Sequence, residues 1–106
     1  MTERRLGDVA TKVLFENDRV KVWELVLAPG ESSDTHEHHH DYLLVQLEGD
    51  KITGDFEPDT NGEFPPGLVE GDVAPGNVFY TTKGGIETAR NTGTTPYREI
   101  LIELKD

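Results

Sequence analysis

An all-β fold, either a sandwich or a small jelly-roll barrel, is what this sequence predicts, on three observations. Apolar residues recur in short alternating or β-branched runs, as strands with a buried face require. The runs end at Gly, Pro, Asn or Asp, with turns about ten residues apart, the spacing of small β-barrels. No window of about 11 residues carries the apolar stripe of an amphipathic helix.

Taken in order, residues 1–12 read as an N-terminal arm and 13–106 as one domain of about eight or nine strands. Val13-Leu14-Phe15 stops at Asn17-Asp18. Val20 to Ala28 is rich in Val and Leu and is closed by Pro29-Gly30. Tyr42 to Glu48 ends at Gly49-Asp50. Lys51 to Phe56 alternates and leads into a loop from Glu57 to Gly67 that holds Pro58, Pro65 and Pro66. Leu68-Val69 runs to Gly71-Asp72, Val78-Phe79-Tyr80 to Lys83-Gly84-Gly85, and Ile86 to Arg90 to Asn91-Thr92-Gly93. Tyr97 to Leu104 alternates, with Ile100, Ile102 and Leu104 on one face and Glu99, Leu101 and Glu103 on the other. Trp23, Phe79 and Tyr80 read as core or barrel-wall residues.

Composition narrows the function classes. Of 106 residues, 34% are hydrophobic and 29% charged, which suits one domain with a modest core. Ten Lys and Arg against 21 Asp and Glu give a net charge of −11. Phosphate binding needs a dense basic patch, so neither nucleic acid nor an anionic membrane surface is an expected partner. With no cysteine there is no disulfide, thiolate nucleophile or zinc ribbon. The opening MTERRLGDVATK lacks the apolar core of a signal peptide, and no stretch nears the roughly 18 apolar residues of a membrane span, so a cytoplasmic location is expected.

All four histidines fall within THEHHHDY, residues 35–42. On a strand, His36 and His38 point the same way from adjacent rungs and can grip one ion. Neutral imidazole suits Fe, Ni, Zn or Mn better than Ca or Mg. If the strand continues, His40 and Tyr42 share that face, whereas Glu37, His39 and Asp41 point away. Two ligands do not complete a site, so others must come from elsewhere. Gln46 shares the parity of Tyr42 and Leu44 and is a candidate for substrate contact if Tyr42 faces a pocket.

Gly30, His36, His38, Tyr42 and Gly49 have the spacing of the first motif of the cupin superfamily, which this stretch resembles: glycine, five residues, His-x-His, three or four residues, glutamate, six residues, glycine. Residues 71–91, GDVAPGNVFYTTKGGIETARN, are similar to the second motif, with Thr82 at its proline, Gly84 at its glycine, Glu87 at its histidine and Asn91 at its asparagine. VLFENDRVKVWE and NTGTTPYREILIELK are similar to segments of small bacterial cupins, some of them named for β-alanine degradation. The resemblance spans roughly residues 13–104. It implies a small antiparallel jelly-roll barrel (a double-stranded β-helix) with a divalent transition metal inside, held by the two motif-one histidines and further residues of both motifs.

Here Tyr42 replaces the motif-one glutamate and Glu87 the motif-two histidine. The set implied is His36, His38 and Glu87, a two-histidine, one-carboxylate composition shared by non-haem Fe(II) oxygenases and some catalytic zinc sites. Tyr42, with a phenol pKa of roughly 10, is the weaker ligand or a hydrogen-bond donor beside the metal. His40 is an alternative fourth ligand. Arg90, next to Asn91, is a candidate for binding a substrate carboxylate. The expected function is a metal-dependent cupin acting on a small polar metabolite with dioxygenase- or isomerase-like chemistry, or alternatively a non-catalytic module for a small-molecule ligand. A homodimer is expected, pairing through an open strand edge near Val13 or along Tyr97 to Leu104.

Overall fold

A computed structural model describes residues 4–105. Nine strands are present among them: β1 (Lys12–Glu16), β2 (Val20–Leu27), β3 (His36–Glu37), β4 (Asp41–Glu48), β5 (Lys51–Phe56), β6 (Gly67–Asp72), β7 (Val78–Thr81), β8 (Ile86–Arg90) and β9 (Tyr97–Leu104). They form a five-stranded sheet, β1-β2-β9-β4-β7, and a four-stranded sheet, β3-β8-β5-β6, with every pairing antiparallel. No helix among the described residues is long and apolar enough to cross a membrane.

Local chemistry sets the turns. Asn17 Oδ1 accepts from the N–H groups of Arg19 and Val20, each at 2.8 Å, and so closes the β1–β2 hairpin. Between β2 and β3, Glu31 N–H bonds to Ala28 C=O at 2.9 Å across Pro29-Gly30. Asp50, after β4, accepts from the N–H and hydroxyl groups of Thr94 and Thr95, tying the β4–β5 turn to the turn before β9. Asn91 is fully buried and donates to Leu27 C=O and Thr95 C=O, while its own backbone pairs with Gly30 and Glu31.

The core lies between the sheets: Trp23, Leu25, Leu27, Tyr42, Tyr97 and Leu101, joined by Val9 and Ala10. Burying each leucine there contributes roughly 1.5–3 kcal/mol. Of the expected arm over 1–12, residues 1–3 lie outside the described residues. Gly7 N–H bonds to Thr35 C=O at 2.8 Å, and Val9 and Ala10 enter the core.

One expectation about β9 is overturned. It lies between β2 and β4 in the middle of its sheet, so it offers no open edge; β1 does, and all five of its residues are exposed. Its buried face is the polar one, Tyr97, Glu99, Leu101 and Glu103, with Ile100, Ile102 and Leu104 half-buried on the outside. The cross-strand pairs agree: Leu27 with Tyr97, Leu25 with Glu99 and Trp23 with Leu101 face inward. Glu103 is satisfied there by the Trp23 indole, which donates at 2.6 Å. Trp23 is core, and Phe79 and Tyr80 stand in the barrel wall on the edge strand β7, exposed rather than in the core.

Candidate metal centre

Strand register brings the motif residues together. His36 on β3 sits directly opposite Glu87 on β8. His38 lies beyond the end of β3, yet its backbone remains pinned: its N–H donates to Gly85 C=O and its C=O accepts from Gly84 N–H, both at 2.8 Å. The strand then breaks across 38–40 and restarts at Asp41. Gly84, at φ +107°, passes so close to Asn61 C=O that a Cβ would collide with it.

His36 and His38 are buried, 1% and 2% exposed, and Glu87 is nearly so. Glu87 Oε1 stands 3.1 Å from His38 Nε2 and 3.6 Å from His36 Nε2, and one donor atom from each of the three lies within 4.8 Å of the others. Two donors each about 2.1 Å from one ion stand about 3.0–3.5 Å apart at tetrahedral or octahedral angles. The two Glu87 contacts are at or near that range, and the widest separation in the group, within 4.8 Å, must shorten for all three to share an ion.

The tautomer of His36 strengthens the fit. Its Nδ1 lies 2.7 Å from Asp34 C=O, which can only accept, so Nδ1 carries a proton and Nε2 is the ring nitrogen that faces Glu87. Facing a carboxylate, Nε2 either carries a second proton and donates it to Glu87 or, with a metal in between, lends the ion its lone pair. Among the described residues, His38 Nδ1 is buried without a hydrogen-bond partner. Gly54 makes room for Glu87: a Cβ at that position would fall 2.7 Å from Glu87 Oε2.

The electrostatics follow. Burial pushes the Glu87 carboxyl up, but hydrogen bonds to His36 and His38 outweigh it and hold the group at about 2. Burial pulls the His36 imidazole down, yet Glu87 raises it above its ordinary value. Tyr42 stacks on His38 with ring centroids 4.2 Å apart. Burial, and then the charge of Glu87, push its phenol far above the ordinary value, which suits a neutral hydroxyl beside the site rather than a phenolate.

The remaining sequence candidates separate. His39 is exposed, and His40, half-buried in the break, lies outside the His36–His38–Glu87 group. The unbroken strand that would put His40 beside Tyr42 is absent. Gln46 lines a cavity of about 280 Å³ together with His36, His38, Tyr42 and Glu87. Arg90 does not: three residues from Glu87, it falls on the opposite face of β8 and lines a separate outer groove with Asp55 and Glu70. Thr82, at the motif proline, uses the N–H that proline lacks to donate to Glu63 Oε1 at 2.8 Å.

Sequence reasoning missed Glu99. It is 4% exposed, lines the cavity and accepts from Tyr97 Oη at 2.5 Å. Burial raises its carboxyl to about 7, with Tyr97 opposing and Glu87 adding to the shift. The only signal was the parity it shares with Tyr97 and Leu101 on β9. Phe64, from the loop after β5, and Phe79 mark the exposed rim of the cavity.

No protein-family model matches the chain, and no curated protein does. Solved structures do match. A cupin domain from Bordetella pertussis Tohama I is 25% identical, with a TM-score of 0.77 over 99% of this chain and all of that one. A cupin superfamily protein from Desulfitobacterium hafniense DCB-2 is 24% identical, with a TM-score of 0.64 over 99% of this chain and 84% of that one. A cupin 2 conserved barrel domain protein from Salinispora arenicola CNS-205 is 18% identical, with a TM-score of 0.66 over 97% of this chain and 82% of that one. With its two antiparallel sheets closing around the histidine cavity, the chain is by fold a cupin, a small double-stranded β-helix.

Proposed function

We propose that this cupin is a metal-dependent protein that binds one divalent transition ion through His36 Nε2, His38 Nε2 and Glu87, and acts on a small metabolite in the barrel with dioxygenase- or isomerase-like chemistry. The observation that carries the reading is the convergence of the buried His36 Nε2 and His38 Nε2 on one oxygen of Glu87, at 3.6 and 3.1 Å. Fe, Ni, Zn and Mn all suit two imidazoles and a carboxylate. When bound, such an ion supplies Lewis-acid polarisation of a substrate oxygen.

The chain's own residues do the rest. Asp34 holds the His36 ring, and the Gly84–Gly85 turn holds the His38 backbone. Glu87 brings one negative charge to offset part of the ion's, and Tyr42 offers a neutral hydroxyl beside His38. Leu25, Leu44, Ile52 and Phe56 line the cavity and limit water. Three protein donors leave coordination positions for water or substrate.

Anaerobic titration with Fe(II), and elemental analysis of natively purified protein, test the proposal. Tight binding that is lost in His36→Ala and in Glu87→Ala supports it. No tight binding by the wild type, or unchanged binding in both variants, rejects it.

We further propose a homodimer, formed by the outer face of the five-stranded sheet rather than by a strand edge. Val22, Leu43, Val45, Ile100 and Ile102 are half-buried there, beside the exposed Phe15, Val26, Val78 and Tyr80. Its measurable consequences are taken up in the Discussion.

A further inference from the structure

The wall of the cavity that faces the triad carries a second polar group. His36 and Glu87 stand on β3 and β8 of the four-stranded sheet, whereas Gln46 on β4 and Tyr97 and Glu99 on β9 belong to the five-stranded sheet. Gln46 pairs directly with Glu99 across β4 and β9. All of these residues line one cavity. Leu25, Leu44, Ile52, Phe56 and Leu101 line it as well, so the space has two polar ends and an apolar waist.

This second end has unspent hydrogen-bonding capacity. Gln46 is 4% exposed; its Nε2 makes a long bond of 3.4 Å to Tyr97 Oη, and its Oε1 has no hydrogen-bond partner. Tyr97 Oη already donates to Glu99, so it has no proton for that oxygen. The Gln46 backbone is satisfied separately, N–H to Asn77 C=O at 3.0 Å and C=O from Gly76 N–H at 2.7 Å, so the fold does not need the side-chain amide. A buried amide oxygen without a partner is destabilising, and its presence calls for an explanation. Glu103 on the same face shows the alternative, a buried carboxylate with one oxygen engaged by the Trp23 indole at 2.6 Å.

We infer that Gln46 and Glu99, positioned by Tyr97, form a binding end that accepts a hydroxyl or other neutral O–H or N–H donor of the ligand. The ligand is a small molecule with an apolar middle, and its opposite end carries the oxygens that approach His36, His38 and Glu87. At about 280 Å³ the cavity is below the roughly 300–1,000 Å³ of sites for drug-sized ligands, so the occupant is metabolite-sized. The inference deepens the metal reading and rests on it for which ligand end meets the triad; the binding end itself does not depend on it.

The test uses matched probes: straight-chain carboxylates of four to eight carbons, each with and without a terminal hydroxyl, titrated calorimetrically into Zn(II)-loaded wild type and Gln46→Leu. Zn(II) binding is measured first on both, so failure of the metal reading registers separately. If Zn(II) does not bind, the same series is titrated into the metal-free protein. At least one hydroxylated chain is expected to bind wild type tenfold or more tightly than its methyl-ended partner. The preference is expected to vanish in Gln46→Leu, while Zn(II) affinity stays unchanged and the melting temperature holds or rises. A purely structural Gln46 predicts a fall in melting temperature instead. Equal binding within every pair, no binding of any probe, or a preference that survives in Gln46→Leu overturns the inference. Gln46→Met provides a second, equally apolar variant should the leucine crowd Tyr97.

Discussion

At the scale of single residues, the site depends on groups that do not themselves reach an ion. Glu87 can approach both imidazoles only because residue 54 has no side chain: a Cβ there would meet Glu87 Oε2 at 2.7 Å and the Phe56 ring at 2.8 Å. Gly54→Val is therefore expected to displace the carboxylate and weaken metal binding by about 10–100-fold, the usual cost of losing a supporting group. Removal of a ligand in His36→Ala should cost more than that. Competition with a chromophoric chelator ranks the two, and equal affinity of Gly54→Val and wild type would contradict this account. The histidines were readable from their spacing, and Glu87 from the alignment of the second motif. Gly54 and the Asp34 carbonyl were not, because a missing side chain and a backbone acceptor leave no mark on residue type. Glu99 was hidden for a different reason: a carboxylate between Arg98 and Ile100 reads as solvent-facing unless both faces of its strand are covered.

At the scale of elements, strand positions followed from alternation and turn residues. The order of strands and the break after His38 did not, since both arise from long-range pairing. The break matters for function, because it separates His40 from His38 and lets Tyr42 restart on β4 in stacking contact with the His38 ring. The turns that hold this geometry are themselves testable. Hydrogen bonds from Thr94 and then Thr95 hold the Asp50 carboxyl at about 2, against an ordinary value of 3.8. A carboxyl held down in the folded state contributes stability that is present above 3.8 and lost as pH falls through about 2. The melting temperature of wild type should thus fall more steeply with acidification between about pH 4 and about pH 2 than that of Asp50→Asn. The other carboxylates titrate in both proteins, so the difference between the curves isolates this turn. Parallel curves would mean that the turn is held by its backbone alone. Because Asp50 is exposed, the effect is expected to be small and to shrink with added salt.

At the scale of the whole molecule, an apolar outer sheet face on a chain of net charge −11 needs an occupant, and a second copy is the one its features favour. Five strands of up to eight residues make a face about 24 by 26 Å, or roughly 600 Å² before side-chain relief, near the roughly 800 Å² each partner gives to a standard interface. The charges within it neutralise one another: Arg98 lies 2.7 Å and Lys12 3.7 Å from Glu24, which stands between Val22 and Val26 on β2. Like-charge repulsion between two such chains then acts mainly through the rest of the surface and weakens with salt. The same face accounts for the pattern of β9: if both sides of a central strand are covered, one by the barrel and one by a partner, the apolar set need not mark the inside. Light scattering at micromolar concentration should give twice the chain mass, with dissociation favoured at low ionic strength. Ile102→Lys, at the centre of the face between Val22 and Leu43, should give a monomer whose circular dichroism remains that of a folded β-protein. Ile102→Val should remain dimeric. A monomeric wild type, or a dimer that tolerates Ile102→Lys, would leave the second copy without support. The site lies on the other side of that sheet, so the Ile102→Lys monomer should still bind metal as wild type does.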